Sequence, residues 1–410
     1  MAPRFSLTPP ASAAKNGGKG EPEVFLPQPL AVITGAGIVA PSGVTSIEPL
    51  ALPDGRPVPP FGCPVQGFEV KKHLPSIISY VDRCSALALV AVKLALESAK
   101  VDPKSSAAPS AAPSTLNPPP STPPQWGLAY SSAWGCLDSM ELFFAKVAAG
   151  QAKFAPPLVF SHSYVNTPSS LACIEFGLAG PGATFSQGAA GAIVALGWAR
   201  DRLLRTSGAE CAGFVAAASD SLSKALRRHY AAAGELSVDG SLAPFDPAGA
   251  GTVLGEAGAA LTVELEDVAI ARGARPLAAI RGWGSAVGTD PRRALAQAIN
   301  AALTDSAVSP NAEGSPAVAS AKAGRKPIAA VYCDASGRPD LDRAEAAALD
   351  ETVGPASAVP RRTVKSRAGE CGPAASLISA AGICSAAPGI YLVTALDRSG
   401  ASALILERTP

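Results

Sequence analysis

The strongest constraint on this chain is an alternation, run through twice, between short apolar segments and longer segments with helical spacing. In the first run, Ala31–Gly37, Trp126–Ser132, Thr184–Gln187, Ala212–Ala218 and Ala257–Glu264 have the length and composition of buried strands. Between them, Leu87, Leu89, Val90, Val92, Leu94 and Leu96 mark a buried helix over Asp82–Lys100, and helices are predicted at Ser139–Ala149 and Ala189–Leu204. In the second run, strands are predicted at Leu277–Gly284, Ile328–Asp334, Thr363–Ser366 and Gly400–Glu407. Helices are predicted there at Pro291–Leu303, Asp342–Leu349 and Pro373–Ala381. Strands alternating with helices imply an α/β layered protein, and two similarly ordered runs suggest an internal duplication. The expected halves are 30–265 and 266–410.

Three stretches stand outside this pattern. Residues 1–29 have no apolar signal-peptide core and read as a flexible tail. Residues 103–125 hold eight prolines among Ser and Ala, a composition that cannot bury enough surface to order itself, and read as an insertion. Ser309–Lys326 reads as a loop. No apolar run reaches the 18 or more residues of a membrane span, so a membrane association is not expected and the default address is the cytoplasm.

Charge and cysteine usage exclude further classes. With 34 basic and 33 acidic residues, the net charge of +1 lacks the basic excess that nucleic-acid binding uses. The eight cysteines have neither CxxC spacing nor a neighbouring histidine, so neither a metal centre nor any other cofactor is expected. Gly35-Ala-Gly37 follows a strand, but a dinucleotide fingerprint would need a third glycine, which is missing.

Six segments, in order, carry a resemblance. They are Ala31-Val-Ile-Thr-Gly-Ala-Gly-Ile38, Asp82-Arg-Cys-Ser-Ala-Leu-Ala-Leu89, Gly177-Leu-Ala-Gly-Pro181, Val253-Leu-Gly-Glu-Ala-Gly-Ala-Ala-Leu261, Asp342-Arg-Ala-Glu345 and Val364-Lys-Ser-Arg-Ala-Gly369. Together, from about residue 30 to 407, they resemble the β-ketoacyl synthase family. The resemblance implies the thiolase fold, in which two duplicated βαβαβαββ halves form five αβαβα layers.

Active members of that family use a cysteine at a helix N-terminus as the acyl-accepting nucleophile, with two histidines that assist decarboxylation and stabilise the enolate oxyanion. Counted without gaps between Gly180-Pro181 and Gly197, the cysteine position falls on Ala189. One residue of slippage gives Gly188, and Gln187 is two away. The histidine positions fall on Asp334 and Glu370, and Asp397 stands where a glycine-rich loop carries a gating phenylalanine. The family lysine is retained as Lys365, and the resemblance implies that it pairs with the carboxylate of Glu345, beside Asp342. The histidines present, His73, His162 and His229, match none of these positions.

The resemblance therefore implies a non-catalytic member similar to the chain length factors, the β-subunits of type II polyketide ketosynthases. The implied partners are an active ketosynthase, in a heterodimer, and an acyl carrier protein bearing a phosphopantetheine-bound chain. The subgroup expected is a divergent one, of the aryl-polyene kind. Trp134, Val159 and Asn166 are the implied tunnel or interface residues. Trp134 is expected at the far end of the acyl pocket, where a bulky side chain would limit chain length. Two other readings stay open: changed acid–base chemistry on Asp334 and Glu370, and a scaffold that only recruits the carrier protein.

Overall fold

A computed structural model describes residues 29–45, 62–77, 79–105, 125–206, 211–249, 251–306 and 327–410. The tail, most of the Pro-rich insertion and almost all of the loop expected at 309–326 lie outside the described residues. The strands are β1 (Ala31–Ala40), β2 (Gly43–Thr45), β3 (Gln125–Ser131), β4 (Gly182–Phe185), β5 (Cys211–Asp220) and β6 (Ala257–Leu265). They continue with β7 (Ala278–Val287), β8 (Ile328–Tyr332), β9 (Arg361–Arg362), β10 (Gly389–Leu396) and β11 (Gly400–Arg408).

The strand order is β4-β3-β5-β6-β1-β7-β11-β10-β8-β9, with β2 folded back on β1. The order β4-β3-β5-β6-β1 is repeated, reversed, as β7-β11-β10-β8-β9. The directions repeat as well. β3 is parallel to β4 and β5 while β6 is antiparallel to β5 and β1; β8 is parallel to β9 and β10 while β11 is antiparallel to β10 and β7. The halves meet where β1 pairs with β7 over Val32–Ala279 and Ile33–Ala278.

Helices Gly191–Thr206 and Ala374–Cys384 touch strands of both halves and so lie between them. Their inward faces are almost entirely small or aliphatic, and ten of the eleven residues of Ala374–Cys384 are buried. Helices Arg83–Ala99 and Thr167–Phe176 cover the outer face of the first half, and Pro291–Ser306 and Pro339–Thr352 cover that of the second. The result is the five-layered thiolase-like α/β arrangement.

The glycines of β1 serve this layering. A Cβ on Gly35 would lie 2.5 Å from the carbonyl oxygen of Ala95, and one on Gly37 would lie 2.1 Å from that of Ala91. Both let helix Arg83–Ala99 sit directly on the strand. That close approach, not a phosphate, accounts for Gly35-Ala-Gly37.

Two expectations about local structure are corrected. Thr363–Ser366 is not a strand: the pairing residues are Arg361 and Arg362, and Lys365–Ala368 forms a helical turn. The Thr363 hydroxyl accepts from Lys365 N at 3.1 Å, a local side-chain bond that starts a turn where a ladder would otherwise continue. Strand β10 has no counterpart among the elements expected from sequence. It is a continuous apolar run, paired on both sides, without the alternation that identifies a half-exposed strand.

Candidate active site

The candidate site lies where the ends of the two halves meet. Between β4 and helix Gly191–Thr206 the chain turns through Gly188–Ala190. Gly188 has φ +55°, and a Cβ there would lie 2.1 Å from Asp397 Oδ2, so both backbone and neighbour call for glycine. Gly188 and Ala189 line a cavity of about 230 Å³, whereas Gln187 is exposed and does not line it. Of the three candidates for the nucleophile position, the cavity therefore takes in Gly188 and Ala189.

The second half supplies the charge. Glu345, on helix Pro339–Thr352, accepts from the backbone N–H of Asp334 at 2.9 Å, that of Ala335 at 2.8 Å and the Thr394 hydroxyl at 2.6 Å. One turn earlier, Asp342 accepts from Phe245 N at 3.0 Å and Gly337 N at 3.1 Å. These carboxylates hold two non-glycine residues in left-handed backbone, Ala335 at φ +43° and Phe245 at φ +64°. Such conformations cost of order 1–3 kcal/mol and persist only where the surroundings fix them.

Lys365 is fully buried, and its Nζ lies 2.9 Å from Asp334 Oδ1 and 2.8 Å from Glu370 Oε2. The expected partnership of Lys365 with Glu345 is thus corrected. Glu345 is saturated by two backbone amides and a hydroxyl, and the ammonium goes instead to Asp334 and Glu370. Arg338 joins them, 3.8 Å from Glu370 and 3.4 Å from Glu235. Burial pushes the Asp334 carboxyl up, to about 7, against the lowering effect of Lys365. Burial acts the same way on Glu370, but Lys365 and Arg338 outweigh it and hold Glu370 below the usual range. Lys365 itself is raised, because its two carboxylates outweigh desolvation. Glu370 lines the cavity, whereas Asp334 is not among its lining residues.

The opposite wall comes from the first half. Asp220, at the end of β5, accepts from the Ser132 hydroxyl at 2.7 Å, Ala133 N at 2.9 Å and Trp134 N at 3.0 Å. Burial pushes its carboxyl up to about 6. Trp134 lines the cavity, with its ring 5.2 Å from His229 and 6.1 Å from Tyr230. It is half-buried and lines the same cavity as Ala189.

Val159 and Asn166 do not line the cavity: Val159 is buried on the short helix Pro157–Ser161, and Asn166 is exposed at the start of Thr167–Phe176. His162 packs edge-on against Tyr80 at 5.6 Å and is also outside the cavity. His229, read from sequence as a surface group, is exposed but lies at the cavity rim.

Sequence reasoning missed Asp220, Glu235, Tyr230 and Arg338. One available signal was the position of Asp220 at the C-terminal end of a parallel strand, where α/β proteins place their ligand sites. Among the described residues one group has metal-ligating types close together, Asp82, Cys84 and Cys136, all buried. Asp82 is committed elsewhere: it caps its helix through Cys84 N at 2.8 Å and accepts from Ser139 N and Oγ at 3.1 and 2.9 Å. The cluster is explained by that cap.

Comparison with known proteins places this geometry. Residues 69–269 match the family model for the β-ketoacyl synthase N-terminal domain. The chain is 30% identical over 375 residues to the tetracenomycin polyketide synthase ketoacyl synthase beta subunit of Streptomyces glaucescens, covering 82% of this chain and 80% of that protein. It is 28% identical over 349 residues to the actinorhodin polyketide putative beta-ketoacyl synthase 2 of Streptomyces coelicolor, covering 79% and 77%. Among solved structures, the ishigamide ketosynthase/chain length factor superposes with TM-score 0.76 at 19% identity, covering 93% of this chain and all of that one. The AntDE:AntF structure, a type II polyketide synthase acyl-carrier protein in complex with its ketosynthase, superposes with TM-score 0.72 at 18% identity and the same coverage.

Proposed function

Because this chain belongs to the β-ketoacyl synthase family, we propose that it serves as a chain length factor-like subunit, a non-condensing partner of an active ketosynthase in type II polyketide biosynthesis. One observation carries the reading: the cavity presents Ala189 and a Lys365-bound Glu370 where condensation needs a thiolate and an imidazole. A methyl group cannot accept an acyl chain as a thioester. Stabilising an enolate oxygen needs a hydrogen-bond donor, and Glu370, held ionised by Lys365 and Arg338, offers only acceptors. The reading of changed acid–base chemistry on Asp334 and Glu370 loses support from the same geometry. One of the two carboxylates does not line the cavity, and both are tied to one ammonium.

A partner is supported by the surface beside β4, an edge strand of the sheet. Met140, Leu142, Phe144, Leu158, Phe160 and Tyr164 are all exposed there, on neighbouring segments joined by the Phe143–Phe160 and Phe160–Tyr164 ring contacts. The next helix, Thr167–Phe176, is tied to β4 through Ser169 and Thr184 at 3.0 Å. A strand edge with no pairing partner among the described residues, beside so many exposed large apolar groups, is the kind of surface that association covers. Asn166 is exposed at the start of Thr167–Phe176, next to these segments, whereas Val159 is buried. The carrier protein would then deliver its acyl chain to the partner's nucleophile, with this chain shaping the space beside it.

Co-expression with a ketosynthase that retains cysteine and both histidines, encoded beside this chain, tests the reading. A 1:1 complex by light scattering, inactive without the ketosynthase, is expected. A stable free monomer under those conditions, or condensation by this chain alone, would overturn it.

A further inference from the structure

We propose that Arg398 is an ionic latch across the mouth of the cavity, one that keeps a carrier-borne arm out of this chain's own vestigial site. The inference rests on the reading above for what is excluded, but not for the latch itself. Arg398 sits in the turn between β10 and β11, in the second half. Its guanidinium reaches Glu235 Oε1 of the first half at 2.7 Å through Nη2 and 3.2 Å through Nε. It also reaches Asp340 Oδ2 at 2.6 Å through Nη1. Glu235 and Arg398 both line the cavity, and with side-chain exposures of 19% and 53% they belong to its solvent side. Glu370, deeper in, is 6% exposed. One fork thus ties the two halves together across the opening.

Two neighbours hold the fork in place. Asp397 accepts from Arg398 N at 2.7 Å, and its other oxygen lies against Gly188, so the turn is seated on the segment that carries Ala189. Arg338 approaches the second oxygen of Glu235 at 3.4 Å, which fixes that carboxylate from beneath. Unlike the Lys365 cluster, the Arg398 pairs are partly exposed, so salt screens them and they can open without unfolding the chain. The device is a closable mouth, distinct from the fixed charge below it.

A reporter thiol reads the latch directly. In full-length Ala189→Cys, iodoacetamide modification of the new thiol is followed by mass spectrometry, with native Cys173, half-buried and outside the cavity, as internal reference. Adding Arg398→Ala should raise the rate at position 189 roughly three- to tenfold and leave Cys173 unchanged, as expected for losing two partly exposed ion pairs. Molar salt should raise the rate in the protein that keeps Arg398 toward the same value and have little effect once Arg398→Ala is present. Glu235→Gln should reproduce the increase. Equal rates with and without Arg398 would overturn the latch, and so would a parallel rise at Cys173, which would mean general loosening. Pairing with a ketosynthase is not an input to this measurement, so its failure leaves the functional reading standing, and the reverse also holds.

Discussion

The two halves of the molecule have the same strand order and directions, yet their contributions to the site are opposite in character. The first half ends in small residues, Gly188, Ala189 and Ala190, on a turn whose backbone form is kept although no reactive group is offered. The second half ends in a compensated ion cluster, Asp334, Lys365, Glu370 and Arg338, with Glu345 and Asp342 fixing the loop. The contrast is one of electrostatics. The methyl of Ala189 has no electrostatic consequence. Two buried carboxylates require a cation, and here Lys365 serves both Asp334 and Glu370 at once. The first half should therefore tolerate change at its site position and the second half should not.

The largest effect is expected at Lys365. Lys365→Met leaves two buried carboxylates without their shared cation, a loss on the order of 3–5 kcal/mol. Thermal melting should show a large drop or no folded protein. Lys365→Met combined with Asp334→Asn and Glu370→Gln should recover much of it. A single variant that melts like the parent would break the comparison between the halves.

Protonation sharpens it next. Asp220 has a folded-state carboxyl at about 6, above the ordinary value of 3.8, because burial disfavours its charge. A raised acid favours folding fully below the unfolded value, and that contribution is lost as pH rises through the folded one. Stability from this group should thus fall between about pH 4 and 6, by on the order of 1–3 kcal/mol. Asp220→Asn should flatten the slope while lowering the melting temperature overall. Its amide NH₂ would face either the Ala133 N–H, or the Trp134 N–H and the Ser132 hydroxyl, where a carboxylate accepts from all three. A slope unchanged by the substitution would show that Asp220 does not titrate in that window.

Trp134→Ala should cost less, about 1–2 kcal/mol, since the ring is only half-buried. Its consequence for function is volume. Removing the indole enlarges the cavity beside His229 and Tyr230. If the partner's acyl chain enters that space, carrier-bound products of the complex should lengthen, which mass spectrometry measures. The same length distribution from an intact variant complex would confine Trp134 to a packing role.

The sequence made the layers legible because strand and helix periods differ, because Gly35 and Gly37 of β1 sit where a neighbouring backbone must touch, and because Ala374–Cys384 is almost wholly small or aliphatic and buried. Spacing from Gly180, Asp342 and Lys365 singled out Ala189 and Glu370, which line the cavity, and Asp334, which does not. What could not be read was the pairing. Glu345 and Glu370 stand on either side of Lys365 in sequence, and only the path of the Asp334–Gly337 loop, which saturates Glu345 with amides, decides which one the ammonium meets. Glu235 and Arg338 come from separate loops, so no local pattern announces them, whereas Asp220 ends a strand.

The smallest effect is expected where the comparison says the first half is permissive. Ala189→Cys adds one sulfur at a cavity wall, next to a turn already shaped by Gly188, and its melting temperature should stay close to the parent's. It should also produce no condensation. A thiol there would share one small cavity with the carboxylates Glu370, Asp220 and Asp397 and the cations Arg338 and Arg398. Even an acylated thiol at position 189 would lack a donor for the enolate oxygen, because Glu370 is held ionised and Asp334 does not line the cavity. Labelled malonyl-carrier protein incubated with the variant alone should turn over no faster than with the parent. Turnover above that background would mean that the carboxylates are not the obstacle, and that the methyl of Ala189 alone separates this chain from an active synthase.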